Sequence, residues 1–505
     1  MRLPFPERIP LRYALYFSVL LCLAQLIQGT DPTFSLCCFL FIVIATLAFN
    51  LAGGLSRPSG GYVFFYAVLA VIVGLFWKVF LGEPADSNLK QPLLTIGTYL
   101  GGMMMMFVAV FLSRKLTAKR AFLADMIADG SMSTAAIGCL IVGLLLTGAG
   151  MLNPNQNGSI LSAVNQVNYF IPLALMLGTI SQIRRSGGTS SVNLIVLIAG
   201  LAIFIPGMLS FSKTGIFAPL LGWLIAAASQ RYKVSLQQIV GLILMLAFMG
   251  IYLAPYSQYG RTFKTESLSA NIDVSISLLS ELQHIREMSQ QTGNEMMEDR
   301  VQAYFDTPQG LFDRLQMLSP DDALINVTEQ NGPIGFAPIV FYFENIIPHF
   351  IWPGKPQIGF GNVYAHEIGM IGDEDMTTGI SFSPTGEAFH VGGWLGIFVL
   401  APILWILLFT VFDSLCGDAR RHPWGLLAIF LFSHVAPEGM LGSLIHTLAY
   451  GALGLVFAAF TTAYVMPVVG SIFSGPERTR LRRIAPVRSI PRRSPSIQSS
   501  RNSGQ

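Results

Sequence analysis

Charge is scarce in this sequence: Asp, Glu, Lys and Arg make up 12% of its 505 residues, against 52% hydrophobic residues. At a mean hydropathy of +0.57, the chain lacks the polar surface that several soluble domains would need. Cysteine is nearly as rare. Cys22, Cys37, Cys38, Cys139 and Cys416 all fall in or beside apolar runs, which argues against a disulfide framework and leaves buried free thiols as the expectation. No glycine-rich phosphate loop precedes a helix, and His366-Glu367 lacks the second histidine of a zinc helix. Asp373-Glu374-Asp375 lacks the spacing of a calcium loop and reads as a solvated turn. Nucleotide hydrolysis and zinc proteolysis are set aside. No cofactor, metal or nucleic-acid partner is expected.

What the chain has in abundance is apolar runs of about 20 residues, the length that spans a hydrocarbon core of about 30 Å. They lie near Leu11–Gln28, Phe34–Leu55, Tyr62–Leu81, Leu93–Leu112, Thr134–Leu152 and Ile160–Ile183. Six more lie near Val192–Phe211, Gly215–Ser229, Ile239–Ala254, Gly393–Leu415, Trp424–Leu441 and Leu444–Val465. The fold class expected is all-α and polytopic, with about twelve transmembrane helices. Arg2, Arg8 and Arg12 before the first run resemble a secretory signal, but no small-residue cleavage site follows and a second run begins at once, so an uncleaved helix is expected.

Lys and Arg test this count, because cytoplasmic connections collect them. Arg114, Lys115, Lys119 and Arg120, then Arg184 and Arg185, Arg231 and Lys233, and Arg420 and Arg421 each follow an even number of runs. Alternate connections carry little positive charge. Both termini are therefore expected in the cytoplasm, and the one long connection, Tyr256–His390, on the far side. The division expected is 1–255 with nine helices, 256–390 as the large outer loop, 391–470 with three helices, and 471–505 as a disordered basic tail. Within the loop, Ile276, Leu279, Leu282 and Ile285 suggest an amphipathic helix over the membrane face. Ile334–Ile351, apolar and aromatic, is expected to dip into the membrane interface or pack against the helices.

Candidate chemistry lies on the outer side. Lys213 stands where one run turns into the next, and Arg314 and Lys355 each flank apolar sequence, so three cations are placed near the level of lipid phosphates. Arg261 is a fourth. Glu387 and His390 are three residues apart just before the tenth run, which would put them on one helical face as a general base and its orienting partner. His434, Glu438 and His446 lie within or beside the last two runs, where ionisable groups are costly.

Ile347-Pro348-His349-Phe350-Ile351-Trp352-Pro353-Gly354-Lys355-Pro356 is followed by Thr378-Gly379-Ile380-Ser381, then by Gly386-Glu387-Ala388-Phe389 and Gly392-Gly393-Trp394-Leu395-Gly396. Together these resemble bacterial O-antigen and exopolysaccharide repeat-unit polymerases, and Ser212-Lys213-Thr214 is similar to that family's Ser-Arg-Thr turn. Lys213, and His349 after Ile-Pro, stand where arginine is more usual; each can carry the charge without the guanidinium fork.

The resemblance implies a metal-independent membrane glycosyltransferase at the periplasmic face of the bacterial inner membrane. It would join oligosaccharide repeat units carried on undecaprenyl diphosphate, with membrane lipid around it and a flippase and a chain-length regulator as partners. On that reading Lys213, Arg261, Arg314 and Lys355 bind the diphosphate, and Glu387 or His390 activates the acceptor hydroxyl. An O-antigen ligase would use the same donor. A transporter or flippase of lipid-linked sugars is the alternative from another class, although no internal repeat relates the halves.

Overall fold

The computed structural model describes residues 1–152, 168–265, 267–288, 303–349, 351–356, 358–376 and 378–474. Among them it is all-helical, with no β-strand. Seven helices are long and apolar enough to cross a membrane: Pro32–Ala52, Pro58–Leu81, Pro92–Leu116, Asp129–Met151, Leu236–Gly260, Pro384–Cys416 and Met440–Phe473. Leu11–Ile27, Leu194–Leu209 and Lys213–Ser229 are shorter apolar helices, and Phe170–Arg185 and Pro423–Glu438 complete the set. Each of the twelve apolar runs thus contains a helix. The basic tail from 475 onward and the stretch 153–167 lie outside the described residues.

Local chemistry sets the helix ends. Asp31 accepts from the amides of Thr33 and Phe34 at 2.8 and 3.0 Å, capping a helix whose first residue is Pro32, and Gly53 at φ +96° ends it. Ser212 and Ser383 cap the helices that follow them through the amides of Gly215 and Gly386. Close packing relies on small residues. A Cβ on Gly138 would lie 2.1 Å from the Met466 carbonyl oxygen, and one on Gly470 would lie 1.9 Å from that of Thr134, so Asp129–Met151 and Met440–Phe473 meet backbone to backbone.

The bundle has two chemically different ends. At one, Ala419 donates to Ser56, Leu55 to Pro6 and Trp424 to Leu123, while Arg420 pairs with Glu7 and Asp418 and Arg184 with Asp129. Every basic cluster found in the short connections gathers there. At the other end, buried Lys78 pairs with Glu83 at 2.8 Å, and Tyr304 donates to the Ala85 carbonyl at 2.7 Å. Asp322 accepts from the amides of Lys90 and Gln91 at 2.5 and 2.9 Å. The described parts of 256–392 lie against this second end.

Two details add to the sequence expectation. The helix Leu268–Ser280 leaves Ile276 and Leu279 at 63% and 42% exposed. It packs through Val274 and Leu278, with Leu282 and Ile285 beyond its end, against Phe211 and Tyr256, because i, i+4 neighbours meet that surface. The helix expected from Gly393 begins at Pro384 and breaks sharply at Gly393, where φ is +56° and ψ −139°, a conformation only glycine adopts without strain. The break frees the carbonyls of His390 and Val391, and the amides of Ile334 and Gly335 take them at 3.0 Å each. The apolar half of the loop therefore packs against the helices, as expected.

Candidate functional site

The turn between Leu194–Leu209 and Lys213–Ser229 puts Phe211 at φ +52°, a left-handed conformation costly for a bulky residue. Its carbonyl accepts from Ser257 Oγ at 2.6 Å and from Arg261 Nε at 3.2 Å. These bonds tie the turn to the end of Leu236–Gly260. Lys213 Nζ donates to Gln258 Oε1 at 3.3 Å. Arg314 arrives from the turn Phe312–Arg314, held because the Phe312 ring stacks on Trp77 at 3.6 Å and 6°. Lys213 and Arg261 each lie within electrostatic reach of Arg314 and of Glu438.

Three of the four predicted cations are thus brought together from segments some fifty residues apart or more. Burial first, and then the neighbouring Arg314, press the Arg261 guanidinium below its ordinary value, while Glu438 opposes the shift. Asp313 adds a partial counter-charge, its carboxyl raised by burial. Glu438 adds another, and bonds His434 Nδ1 at 2.8 Å one helical turn back, with the two side chains 34% and 50% exposed.

Glu387 and His390 share the short helix before the Gly393 break, but the structure gives them separate partners. Both are 0% exposed. Glu387 accepts from the hydroxyls of Tyr342 and Tyr364 and from the Leu441 amide. Burial first, then the Glu387 carboxylate, pushes both tyrosine hydroxyls upward, so they remain protonated donors. His390 Nδ1 meets Thr328 Oγ1 at 2.8 Å, and Nε2 lies 3.2 Å from Glu367. Beside them Asp321, also 0% exposed, accepts from Tyr99 at 2.5 Å and from the amide and hydroxyl of Ser383. Its carboxyl is raised to about 7 by burial, which outweighs those bonds.

Lys355, the fourth predicted cation, stands apart from the cluster. It is 9% exposed, and its Nζ donates to the carbonyls of Asn345 and Ile347 at 3.0 and 2.6 Å. With Tyr450, which donates to Ile346 at 2.5 Å, it fixes one wall of a cavity of about 260 Å³ whose lining includes Tyr342, Asn345, Phe360, Gly439, Ser443 and His446. The segment 434–446 joins all three features: Glu438 faces the cations, Leu441 holds Glu387, and Ser443 and His446 line the cavity.

Asp321, Tyr342, Tyr364 and Thr328 belong to this candidate site and were not singled out by the sequence. Asp321 and Asp322 follow Ser319-Pro320 and read as first-turn carboxylates of their own helix, yet both reach other elements. Only the positive φ of Met440, +55°, has a sequence cue, the Pro437-Glu438-Gly439 break. Asp373–Asp375 forms the expected turn, and no group of three His, Cys, Asp or Glu able to hold a metal occurs among the described residues. No family model, curated protein or solved structure matches the chain.

Proposed function

We propose that this protein is a membrane glycosyltransferase that polymerises oligosaccharide repeat units carried on undecaprenyl diphosphate, at the periplasmic face of a bacterial inner membrane. In this reading the chain crosses about twelve times with both termini in the cytoplasm. The sorting of Lys and Arg to one end of the bundle supports that orientation. The observation that carries the reaction is the convergence of Lys213, Arg261 and Arg314 at the opposite end, an anion-binding constellation beside apolar helices where a lipid diphosphate would lie.

In the reaction, an acceptor hydroxyl oxygen attacks the anomeric carbon of the growing chain. The bond from that carbon to the diphosphate oxygen breaks, its electrons go to the diphosphate, and the hydroxyl proton passes to a base. Fixed cations aimed at the departing charge lower the barrier without reorganising. The His434–Glu438 pair stands next to those cations and is partly exposed, with the carboxylate orienting the imidazole as a base requires. Glu387 and His390 are positioning residues in this scheme: Glu387 locks Tyr342 to the 439–442 segment that follows Glu438.

Single substitutions test the assignment in cells that carry the chain as their one polymerase. Arg261→Ala and Arg314→Ala are each expected to cut polymer formation about 10- to 100-fold, the equivalent of one charge-assisted hydrogen bond of about 1.5–3 kcal/mol, with membrane levels unchanged and single lipid-linked units accumulating. Normal polymer in both variants would sink the reading. Accumulation of long, untransferred lipid-linked chains on deletion of the gene would favour a ligase.

A further inference from the structure

The 260 Å³ cavity walled by Tyr342, Asn345, Phe360, Ser443 and His446 has a composition the cation cluster lacks. Its charged neighbour, Lys355, is committed to the Asn345 and Ile347 carbonyls. Among the described residues the side chains of Asn345, Ser443 and His446 make no hydrogen bond within the molecule, so an amide, a hydroxyl and an imidazole are left open beside the flat rings of Tyr342 and Phe360. Those rings meet edge to face at 5.2 Å, and Tyr342 cannot swing away because its hydroxyl is held by Glu387. The wall opposite is equally fixed, through the Leu441 amide on the same carboxylate.

A preformed, neutral, aromatic cavity with a few convergent polar groups fits an uncharged polyol and repels a diphosphate left without cations. Its volume falls just below the roughly 300–1,000 Å³ of pockets for drug-sized ligands, which suits one sugar ring and not a chain. We infer that this cavity is a subsite for a single neutral pyranose, the acceptor sugar of the incoming repeat unit. The C–H face of the ring lies on Tyr342 or Phe360, and its hydroxyls meet Asn345, Ser443 and His446. The assignment of the bound sugar as acceptor rests on the proposed reaction; the sugar site itself does not. Since Glu438 and Gly439 are adjacent in sequence and Gly439 lines the cavity, a sugar here would lie close to the His434–Glu438 pair, the proximity a two-substrate transfer needs.

The test uses the purified full chain in detergent micelles and ligand-detected saturation-transfer NMR with methyl glycosides of glucose, galactose, mannose and N-acetylglucosamine as probes. At least one glycoside is expected to receive saturation. Ser443→Trp, which fills the cavity, is expected to abolish the signal, and Asn345→Ala to weaken binding about tenfold. Inorganic pyrophosphate, titrated into the same preparations, reports on the cation cluster and on folding. Pyrophosphate binding with no glycoside signal, or glycoside binding untouched by Ser443→Trp, overturns the sugar subsite and leaves the proposed transfer standing. Glycoside binding lost with Ser443→Trp, in a protein that ignores pyrophosphate, upholds the subsite and counts against the transfer.

Discussion

Glu387 reads in sequence as a base because a histidine follows three residues later; in the proposed scheme it is a brace, since its carboxylate accepts from Tyr342, Tyr364 and the Leu441 amide. Glu387→Gln distinguishes the two roles, since the amide keeps the shape but offers one acceptor oxygen where the carboxylate offers two to Tyr342, Tyr364 and the Leu441 N–H. A buried N–H left without an acceptor costs about 1–3 kcal/mol. The variant is therefore expected to melt several degrees lower by differential scanning fluorimetry in detergent. Wild-type stability with no activity would instead mark Glu387 as reactive.

Asp321 gives a pH signature at the same scale. Its folded carboxyl lies near 7, above its unfolded value of 3.8, so the folded state holds a proton that the unfolded chain has released. Its contribution to stability is full below about pH 4 and declines as pH rises toward 7. Between pH 5 and 8 the wild type is expected to lose melting temperature relative to Asp321→Asn. Parallel curves would refute the shift. None of these partners could be read from sequence, because Tyr99, Ser383 and Asp321 are hundreds of residues apart or lie in stretches with no periodic signal.

At the scale of elements, each apolar run contains a helix and seven of those helices are long and apolar enough to cross a membrane, since length and hydropathy are properties a single segment carries. The Gly393 break escaped because a Gly-Gly pair inside an apolar run is also compatible with continuous helix. Helix contacts make a prediction here. A Cβ at Gly386 would sit 2.3 Å from the Asp321 carboxyl carbon, whereas nothing lies within 4 Å of one at Gly97. Gly386→Ala is expected to destabilise by about 1–3 kcal/mol through overpacking, and Gly97→Ala to leave stability equal or raise it by up to about 1 kcal/mol. Melting temperatures of the pair decide; equal values would mean the Asp321 contact gives way freely.

For the whole molecule, charge sorting makes the legible part of the account and convergence the illegible part. The basic end follows from counting Lys and Arg, and tags on both termini are expected to be cleaved by protease in inside-out vesicles and spared in right-side-out ones. Opposite protection of the two tags would require an odd number of crossings. The cation cluster was visible only as four separate residues, and the fold selected three of them, assigning Lys355 to a wall of the neighbouring cavity.

The central claim is that these three cations serve sugar transfer from a lipid diphosphate. Purified protein in liposomes, supplied with undecaprenyl-diphosphate-linked repeat units and no energy source, tests it most directly, with the glycan products resolved on a gel. The account predicts a ladder of multiples of the unit, lost on combining Lys213→Ala, Arg261→Ala and Arg314→Ala. Movement of the lipid-linked units across the bilayer without chain growth, or a ladder that survives the triple substitution, would contradict it.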